Sequence, residues 1–480
     1  NYNGVVSTNC ENCKRLEKRV AELEQRCAEL EKRNQELEAL VKELMSRLNS
    51  NSSNSHKPPS SDPPQLNTGR SPCRAKSKGR KHRPGVARKM LPPEKVTHFI
   101  TLQPETCCRC GCDISKVAPT GDRVSQQLDL PEEVPLIVRE FHRHVVTCPH
   151  CQSNTTAIIP SEYSSGLVGL RLAAFISTLR PKFHMSVRLI QELLTTLFGS
   201  KAKMSEGTIV NVEAGTSCAA APVYREVHDQ IQRSPSIWSD ETGWFHPGIR
   251  PWLWVATSED LSLFHISLSR SSKALRHILG NYSGFLTSDR WGSYSIYPLQ
   301  KRQLCLSHLI RDFQKVHDRD LGARKLGAWG VKELKKVMRS WKAYRHGQIS
   351  KKQLNLSVRP IRSRFKILVK CGLRSKDRFM VALCKSLKKK WAAIWAFAKY
   401  PEKVEPTNNR AERALRKHVI WRKISQGSKS LNGLTFAQRL MTITASLAQQ
   451  GRNTMDFLET MLRNFRAGLA PPKLSLNPAA

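Results

Sequence analysis

The stretch Ile237-Trp238-Ser239-Asp240-Glu241-Thr242-Gly243-Trp244 decides the fold class, because its branched and aromatic residues read as a strand that carries two acids. Two further runs follow within short turns: Pro251-Trp252-Leu253-Trp254-Val255-Ala256 and Leu261-Ser262-Leu263-Phe264-His265-Ile266-Ser267. They read as the second and third strands of a meander. A helix is expected over 272–279. Gly284-Phe285-Leu286-Thr287-Ser288-Asp289 then reads as a fourth strand ending in a carboxylate, and Gln303-Leu304-Cys305-Leu306 as a fifth.

Three meander strands followed by alternating helix and strand form the order that a ribonuclease H-like mixed sheet requires. In that sheet the first and fourth strands are central neighbours, so Asp240 and Asp289 are expected side by side. Two carboxylates at one spot repel each other and persist usefully only around a cation. Hard oxygen ligands select Mg²⁺ or Mn²⁺. Glu241 is the rival of Asp240, but strand alternation turns it to the opposite sheet face. Beyond Asp289 lie about 120 residues rich in Lys, Arg, Leu and Trp, read as a helical insertion at about 313–403. Pro406-Thr407-Asn408-Asn409-Arg410-Ala411-Glu412-Arg413-Ala414-Leu415-Arg416 then begins a helix, with Thr407 or Asn408 suited to the N-cap. Glu412, one turn in, is the third expected acid.

Towards the N-terminus, helices are expected at Leu167–Leu179, Val187–Phe198 and Ser205–Cys218. Two of them around the Gly199-Ser200 turn are the minimum for a helix-turn-helix, but the second has few basic residues, and a plain helical subdomain is slightly favoured. Before them stand two Cys-x-x-Cys pairs, Cys107 with Cys110 and Cys148 with Cys151. Four thiolates of this kind make a tetrahedral structural Zn²⁺ site. The intervening segments Val124–Leu130 and Leu136–Val146 are expected as strands that bring the pairs together; Cys108 and Cys112 are spare. Residues 49–95 are rich in Ser, Asn, Pro and isolated cations, including the run Arg74 to Arg83, and read as a flexible basic linker. Residues 13–48 carry a heptad repeat with Leu16, Leu23, Leu30, Leu37 and Leu44 at d, and Arg19, Arg26 and Arg33 at g facing Glu24, Glu31 and Glu38 at e. With Asn34 at an a position, the pattern is that of a parallel two-stranded coiled coil, hence a homodimer or higher assembly.

The composition fits. The 480 residues hold 79 Lys and Arg against 39 Asp and Glu, a net charge of +40 that calls for a polyanionic partner, nucleic acid above all. No stretch approaches the length of apolar sequence needed to cross a membrane. The polar start Asn1-Tyr2-Asn3-Gly4 is not expected to act as a secretory signal. Few cysteines, several of them paired for metal, suit a reducing compartment. A Gly-x-x-x-x-Gly-Lys phosphate loop is absent, which argues against an ATP-driven helicase.

Together, Ser239-Asp240-Glu241-Thr242, Trp252-Leu253-Trp254-Val255, Asp289 with Cys305-x-x-His308, and Asn408-Asn409-x-Ala411-Glu412-Arg413-x-Leu415-Arg416 resemble the large transposase of the sixty-six family of bacterial insertion sequences. The likeness includes the Asn51-Ser52-Ser53 and Pro58 to Asp62 linker motifs, Arg422-Lys423 and Gly427-Ser428. It departs at Leu306-Ser307-His308-Leu309-Ile310-Arg311-Asp312, where the family has Trp-Ala-His-x-Arg-Arg, and at Arg290-Trp291, where a small residue usually follows the second acid. The resemblance implies a DDE enzyme with the triad Asp240, Asp289 and Glu412 around two Mg²⁺ or Mn²⁺ ions. It implies cleavage at terminal inverted repeats and strand transfer into target DNA, with His308, Arg413, Arg416, Arg422 and Lys423 holding phosphates. Accessory proteins of the same element and a cytoplasmic, nucleoid-associated location in a bacterium belong to the same expectation. The competing readings are a non-catalytic zipper and zinc DNA-binding regulator and a ribonuclease H-like structure-selective nuclease.

The expected organisation is thus a multidomain α/β chain: coiled coil 1–48, basic linker 49–95, zinc module 96–160, helical DNA-binding domain 161–233, ribonuclease H-like catalytic core 234–465 with its helical insertion, and tail 466–480.

Overall fold

In the computed structural model, residues 11–48, 50–51, 54–55, 90–132, 134–160, 162–163, 166–319 and 322–475 are described. Most of the expected basic linker, including the Arg74 to Arg83 run and Pro58 to Asp62, lies outside them. The chain divides into two compact units, one of residues 140–193 and 204–480 with the first 67, the other of residues 68–139 with 194–203.

Helix α1 (Glu11–Leu48) contains the whole heptad stretch, and its d-position leucines are exposed. A short antiparallel pair, β1 (Val145–Thr147) and β2 (Asn154–Thr156), follows much later. The strands expected over 124–130 and most of 136–146 do not form; only Val145 and Val146 of those segments enter a strand. Val124, Leu128, Leu130, Ile137 and Val138 are all exposed. Alternating apolar residues make a strand only where a sheet edge or core receives them, and among the described residues these segments pair with no strand.

Four helices come next: α2 (Leu170–Phe183), α3 (Val187–Phe198), α4 (Glu206–Ala219) and α5 (Ala221–Arg233). The last was not foreseen. Arg180 of α2 and Glu213 of α4 pair at 2.6 Å in a largely buried contact, and Ser177 donates to Thr216 at 2.8 Å. The exposed positions of Ser205–Glu213 carry no cation.

The sheet comprises β3 (Ser236–Gly243), β4 (Trp252–Thr257), β5 (Ser262–Ser267), β6 (Phe285–Ser288) and β7 (Arg302–Leu304), in the order β5-β4-β3-β6-β7. The first three pair antiparallel, while β3, β6 and β7 run parallel. Helix α6 (Ser272–Leu279) makes the crossover from β5 to β6. The expected order of strands and helix is therefore the observed one, and the sheet is mixed. Cys305, taken from sequence as part of the fifth strand, instead leads into a helix.

The outer edge of β5 is closed by side chains. Its Ser262, Phe264 and Ile266 amides donate to Ser446 Oγ (3.0 Å), Thr442 Oγ1 (2.9 Å) and Gln438 Oε1 (3.1 Å) of α12 (Leu431–Gln449). Four helical residues advance about 6 Å and two strand residues about 6.7 Å, so a polar residue at every fourth helix position meets every second strand amide. An edge that would otherwise template another strand is thereby satisfied.

After β7 the chain turns helical: α7 (Leu306–Arg319), α8 (Arg324–Arg345), α9 (Lys351–Gly372) and α10 (Arg378–Lys389) surround an aromatic core with Trp341, Phe365, Trp395 and Phe397. Buried Gln303 fastens β7 to this insertion, accepting from the Phe397 amide at 2.9 Å and donating to Ile394 O at 3.2 Å. Helix α11 (Asn409–Ser425) then crosses back against β3 and β4, and α13 (Thr454–Arg466) closes on α2.

Candidate active site

The three sequence-expected acids come from three elements. Asp240 lies on β3 opposite Val255, Asp289 follows the last residue of β6, and Glu412 sits in the first turn of α11. Because β3 and β6 are parallel neighbours, their carboxyl ends bring Asp240 and Asp289 to one side of the sheet. Burial, then the like charges of Glu241, Asp289 and Glu412, pushes the Asp240 carboxyl well above its ordinary range. The three acids thus share one electrostatic environment. Asp240 accepts from the Glu241 amide at 3.0 Å and Asp289 from the Trp291 amide at 2.8 Å. Neither acid forms an ion pair among the described residues, and Glu412 Oε1 has no hydrogen-bond partner there. Hard oxygens suit a divalent cation, but among the described residues the three acids are not a group whose ligand atoms all lie within 4.8 Å of one another, so a bound cation would have to draw them closer.

Glu241, the rival acid, is differently occupied. It is buried, accepts from Arg270 Nε and Nη2 at 3.0 and 2.8 Å, and accepts from Tyr294 Oη at 2.6 Å. Arg270 in turn lies between Trp252 and Trp291, with its guanidinium 4.5 and 3.9 Å from the ring centroids. A carboxylate spent on a stacked guanidinium and a buried phenol is structural.

Asn408 is the residue that sequence reasoning undervalued. It precedes α11, yet its side chain does not cap the helix. Completely buried, it donates from Nδ2 to Ser239 O at 2.8 Å, while its amide donates to Cys305 Sγ at 3.2 Å and its carbonyl accepts from the Glu412 amide at 3.1 Å. One side chain and its backbone therefore tie together the residue before Asp240, the turn after β7 and the first turn that carries Glu412.

The far end of α11 is fastened to the same strand. Arg422 Nη1 donates to Gly243 O and approaches Thr242 Oγ1 at 3.4 Å. The Ser428 amide donates to Phe245 O at 3.1 Å, and Trp244 Nε1 donates to Ser428 Oγ at 3.2 Å. Gly427 has φ +73°, and a Cβ there would sit 2.4 Å from Phe245 O, so only glycine fits. Of the expected phosphate-holding residues, Arg413, Arg416 and Lys423 lie on the exposed side of α11, Arg422 is engaged with β3, and His308 is buried beside Glu412.

Behind the acids, buried Arg302 donates to Asp289 O at 2.7 Å, to Tyr294 O at 2.9 Å and to Ser288 Oγ. Burial lowers its guanidinium to about 10 despite the nearby Asp289. Residues from the two stretches that depart from the family pattern meet: Arg290 binds buried Asp312 through Nη2 at 2.6 Å and Nε at 3.0 Å.

His308 Nδ1 stands 3.6 Å and Arg311 Nη2 3.9 Å from Glu412 Oε1. Burial pushes the neighbouring Cys305 thiol up to about 12, with Glu412 adding to the effect.

The two Cys-x-x-Cys turns share one backbone pattern. The Cys107 amide donates to Cys112 O and Gly111 N to Cys107 O, each at 2.9 Å; the Cys148 amide donates to Ser153 O and Gln152 N to Cys148 O, each at 2.9 Å. Gly111 and Gln152 both take positive φ. The Arg109 and Cys110 amides directed at Cys107 lower its thiol to about 7. Cys112, spare in the sequence reading, groups with Cys107 and Cys110, all three sulfurs within 4.8 Å of one another. Cys148 and Cys151 belong to the other compact unit.

No described helix is long and apolar enough to cross a membrane. Comparison with known families gives a match of the model described as "Transposase IS66 family" over residues 165–435, more than half of the chain. A second model, "Family of unknown function (DUF6444)", matches residues 11–89. No curated protein matches the chain.

Proposed function

The chain belongs to the Transposase IS66 family, and on that premise we propose that it binds the ends of its insertion sequence and performs divalent-metal-dependent DNA cleavage and strand transfer with Asp240, Asp289 and Glu412. The observation that carries this reading is the parallel pairing of β3 with β6, which sets Asp240 and Asp289 at neighbouring positions, with the Asp240 carboxyl raised by burial first and then by the charges of Glu241, Asp289 and Glu412. The sheet order supports a ribonuclease H-like core.

The acids would hold two Mg²⁺ or Mn²⁺ ions, which supply activation of the attacking hydroxyl and stabilisation of the leaving oxygen in phosphoryl transfer. The chain's own residues do the positioning. Asn408 fixes the spacing of Asp240 from Glu412, and Arg302 holds the Asp289 backbone. Exposed Arg413, Arg416 and Lys423 offer cations for phosphates beside the acids. Each Cys-x-x-Cys turn, Cys107 with Cys110 and Cys148 with Cys151, has the donor type of a structural Zn²⁺ site, with Cys112 a further donor of the first turn. The exposed heptad face of α1 fits a parallel homodimer.

The test is incubation of the purified protein with labelled DNA carrying the element's ends, in Mg²⁺ and in EDTA. Metal-dependent 3′-end cleavage and joined products are expected. Tight end binding with no metal-dependent product, in the presence of the element's accessory proteins, would instead fit the regulator.

A further inference from the structure

We infer that Cys305, His308 and Glu412 form a second, softer cation site that takes Zn²⁺ or Co²⁺ in preference to Mg²⁺. The sulfur, a ring nitrogen and a carboxylate oxygen of these residues lie within 4.8 Å of one another, and His308 Nδ1 and Glu412 Oε1 are 3.6 Å apart. Ligand atoms on one tetrahedral Zn²⁺ lie about 3.3 to 3.6 Å apart by the bond lengths of such sites. The nitrogen and oxygen stand within a few tenths of an ångström of that spacing, and the sulfur closes on them from at most 4.8 Å.

Backbone groups at Cys305 oppose the burial and the Glu412 charge that push its thiol up. The residue immediately precedes α7, whose N-terminal dipole and free amides stabilise a thiolate. The Asn408 amide reaches the sulfur from α11 at 3.2 Å, and the amides of His308 and Ser307 also point to it. Cys305 and His308 are buried, so water does not compete freely for the cation. Glu412 Oε1 is enclosed and has no hydrogen-bond partner among the described residues, although His308 Nδ1 and Arg311 Nη2 stand within 4 Å.

The donor set chooses the metal. Thiolate and imidazole favour Zn²⁺ and Co²⁺, whereas Mg²⁺ wants oxygen alone. On binding, the metal–sulfur bond replaces the S–H bond and the thiol proton leaves to solvent. The inference concerns occupancy and does not rest on the catalytic reading, although it shares Glu412 with it.

The experiment is a Co²⁺ titration of full-length protein freed of metal by a chelator, in the absence of DNA. The readouts are the near-ultraviolet thiolate-to-cobalt band and the visible bands of tetrahedral cobalt. Wild type is expected to bind one equivalent more than Cys305→Ser or His308→Ala, both losing the same increment. A variant with Cys107, Cys110, Cys112, Cys148 and Cys151 all changed to Ser leaves this site untouched and is expected to keep one tetrahedral equivalent. Equal stoichiometry in wild type and folded Cys305→Ser, or no thiolate band in the five-serine variant, overturns the assignment.

Discussion

In the sheet, Leu253, Leu263 and Leu286 lose essentially all contact with solvent, whereas Leu16, Leu23, Leu30, Leu37, Leu44 and Leu48 of α1 remain between 48% and 79% exposed. Both regions carry a strong apolar pattern, in continuous runs such as Trp252 to Ala256 in the strands and with a period of three and a half in the helix. The difference is where the complementary surface comes from. The sheet finds it within the chain, in α11 and α12, down to the amides of β5 that meet side chains of α12. The stripe of α1 meets no comparable surface among the described residues, and a second copy would supply it. The sheet is thus complete in one protein molecule, while the helix would be completed by the proposed dimer.

The sharpest way to break this contrast is Leu30→Pro. Proline inside a helix costs about 3 kcal/mol or more, so the variant is expected to sediment as a monomer while the sheet keeps its melting transition. An unchanged assembly mass would show that α1 does not join the copies.

His418 sharpens the other side of the comparison. It sits on the buried face of α11, edge-on to Phe264 at 4.5 Å, and neither ring nitrogen has a hydrogen-bond partner among the described residues. Burial, then the charges of His184 and Lys417, lowers it to about 3. Its unfolded value is about 6.5, so the unfolded chain takes up a proton that the folded chain refuses. Stability is full above that value and is lost as pH falls towards the folded value, by about 3 kcal/mol at pH 4. Denaturant unfolding at pH 7 and pH 4 should show this loss in wild type and a smaller one in His418→Leu; equal losses would contradict it.

Asn408→Ala removes a buried hydrogen bond, at a cost of about 1 to 3 kcal/mol. Because it loosens Glu412 against Asp240, strand transfer is expected to fall about 100-fold, as for a misplacement of about 1 Å. DNA binding should hold. A variant with normal turnover would remove Asn408 from the positioning scheme. Smallest is Thr442→Val, which strips the Phe264 amide of its acceptor and should lower unfolding stability by about 1 kcal/mol; no change would mean that the β5 edge is satisfied some other way.

The sheet was legible because each strand is short, aromatic or branched, and bounded by turn residues, and because one acid falls on the first strand and the other just after the fourth. What escaped the sequence depends on partners far along the chain. Asn408 reads as a cap, and its bond to Ser239 spans 169 residues. Nothing local in the sequence marks Arg302, which is fully buried among carbonyl oxygens. The segments at 124–130 and 136–144 carry a strand rhythm with no sheet to receive it. Cys112 joins its turn through backbone pairing with Cys107, which ligand spacing alone does not reveal.

The most direct measurement is strand transfer by Asp240→Asn in Mg²⁺, beside a binding assay on the same labelled ends. The account predicts a loss of at least about 10³-fold, several kcal/mol of transition-state stabilisation, with end binding intact. Joined product at the wild-type rate would contradict the assignment of the acids on which the catalytic reading stands.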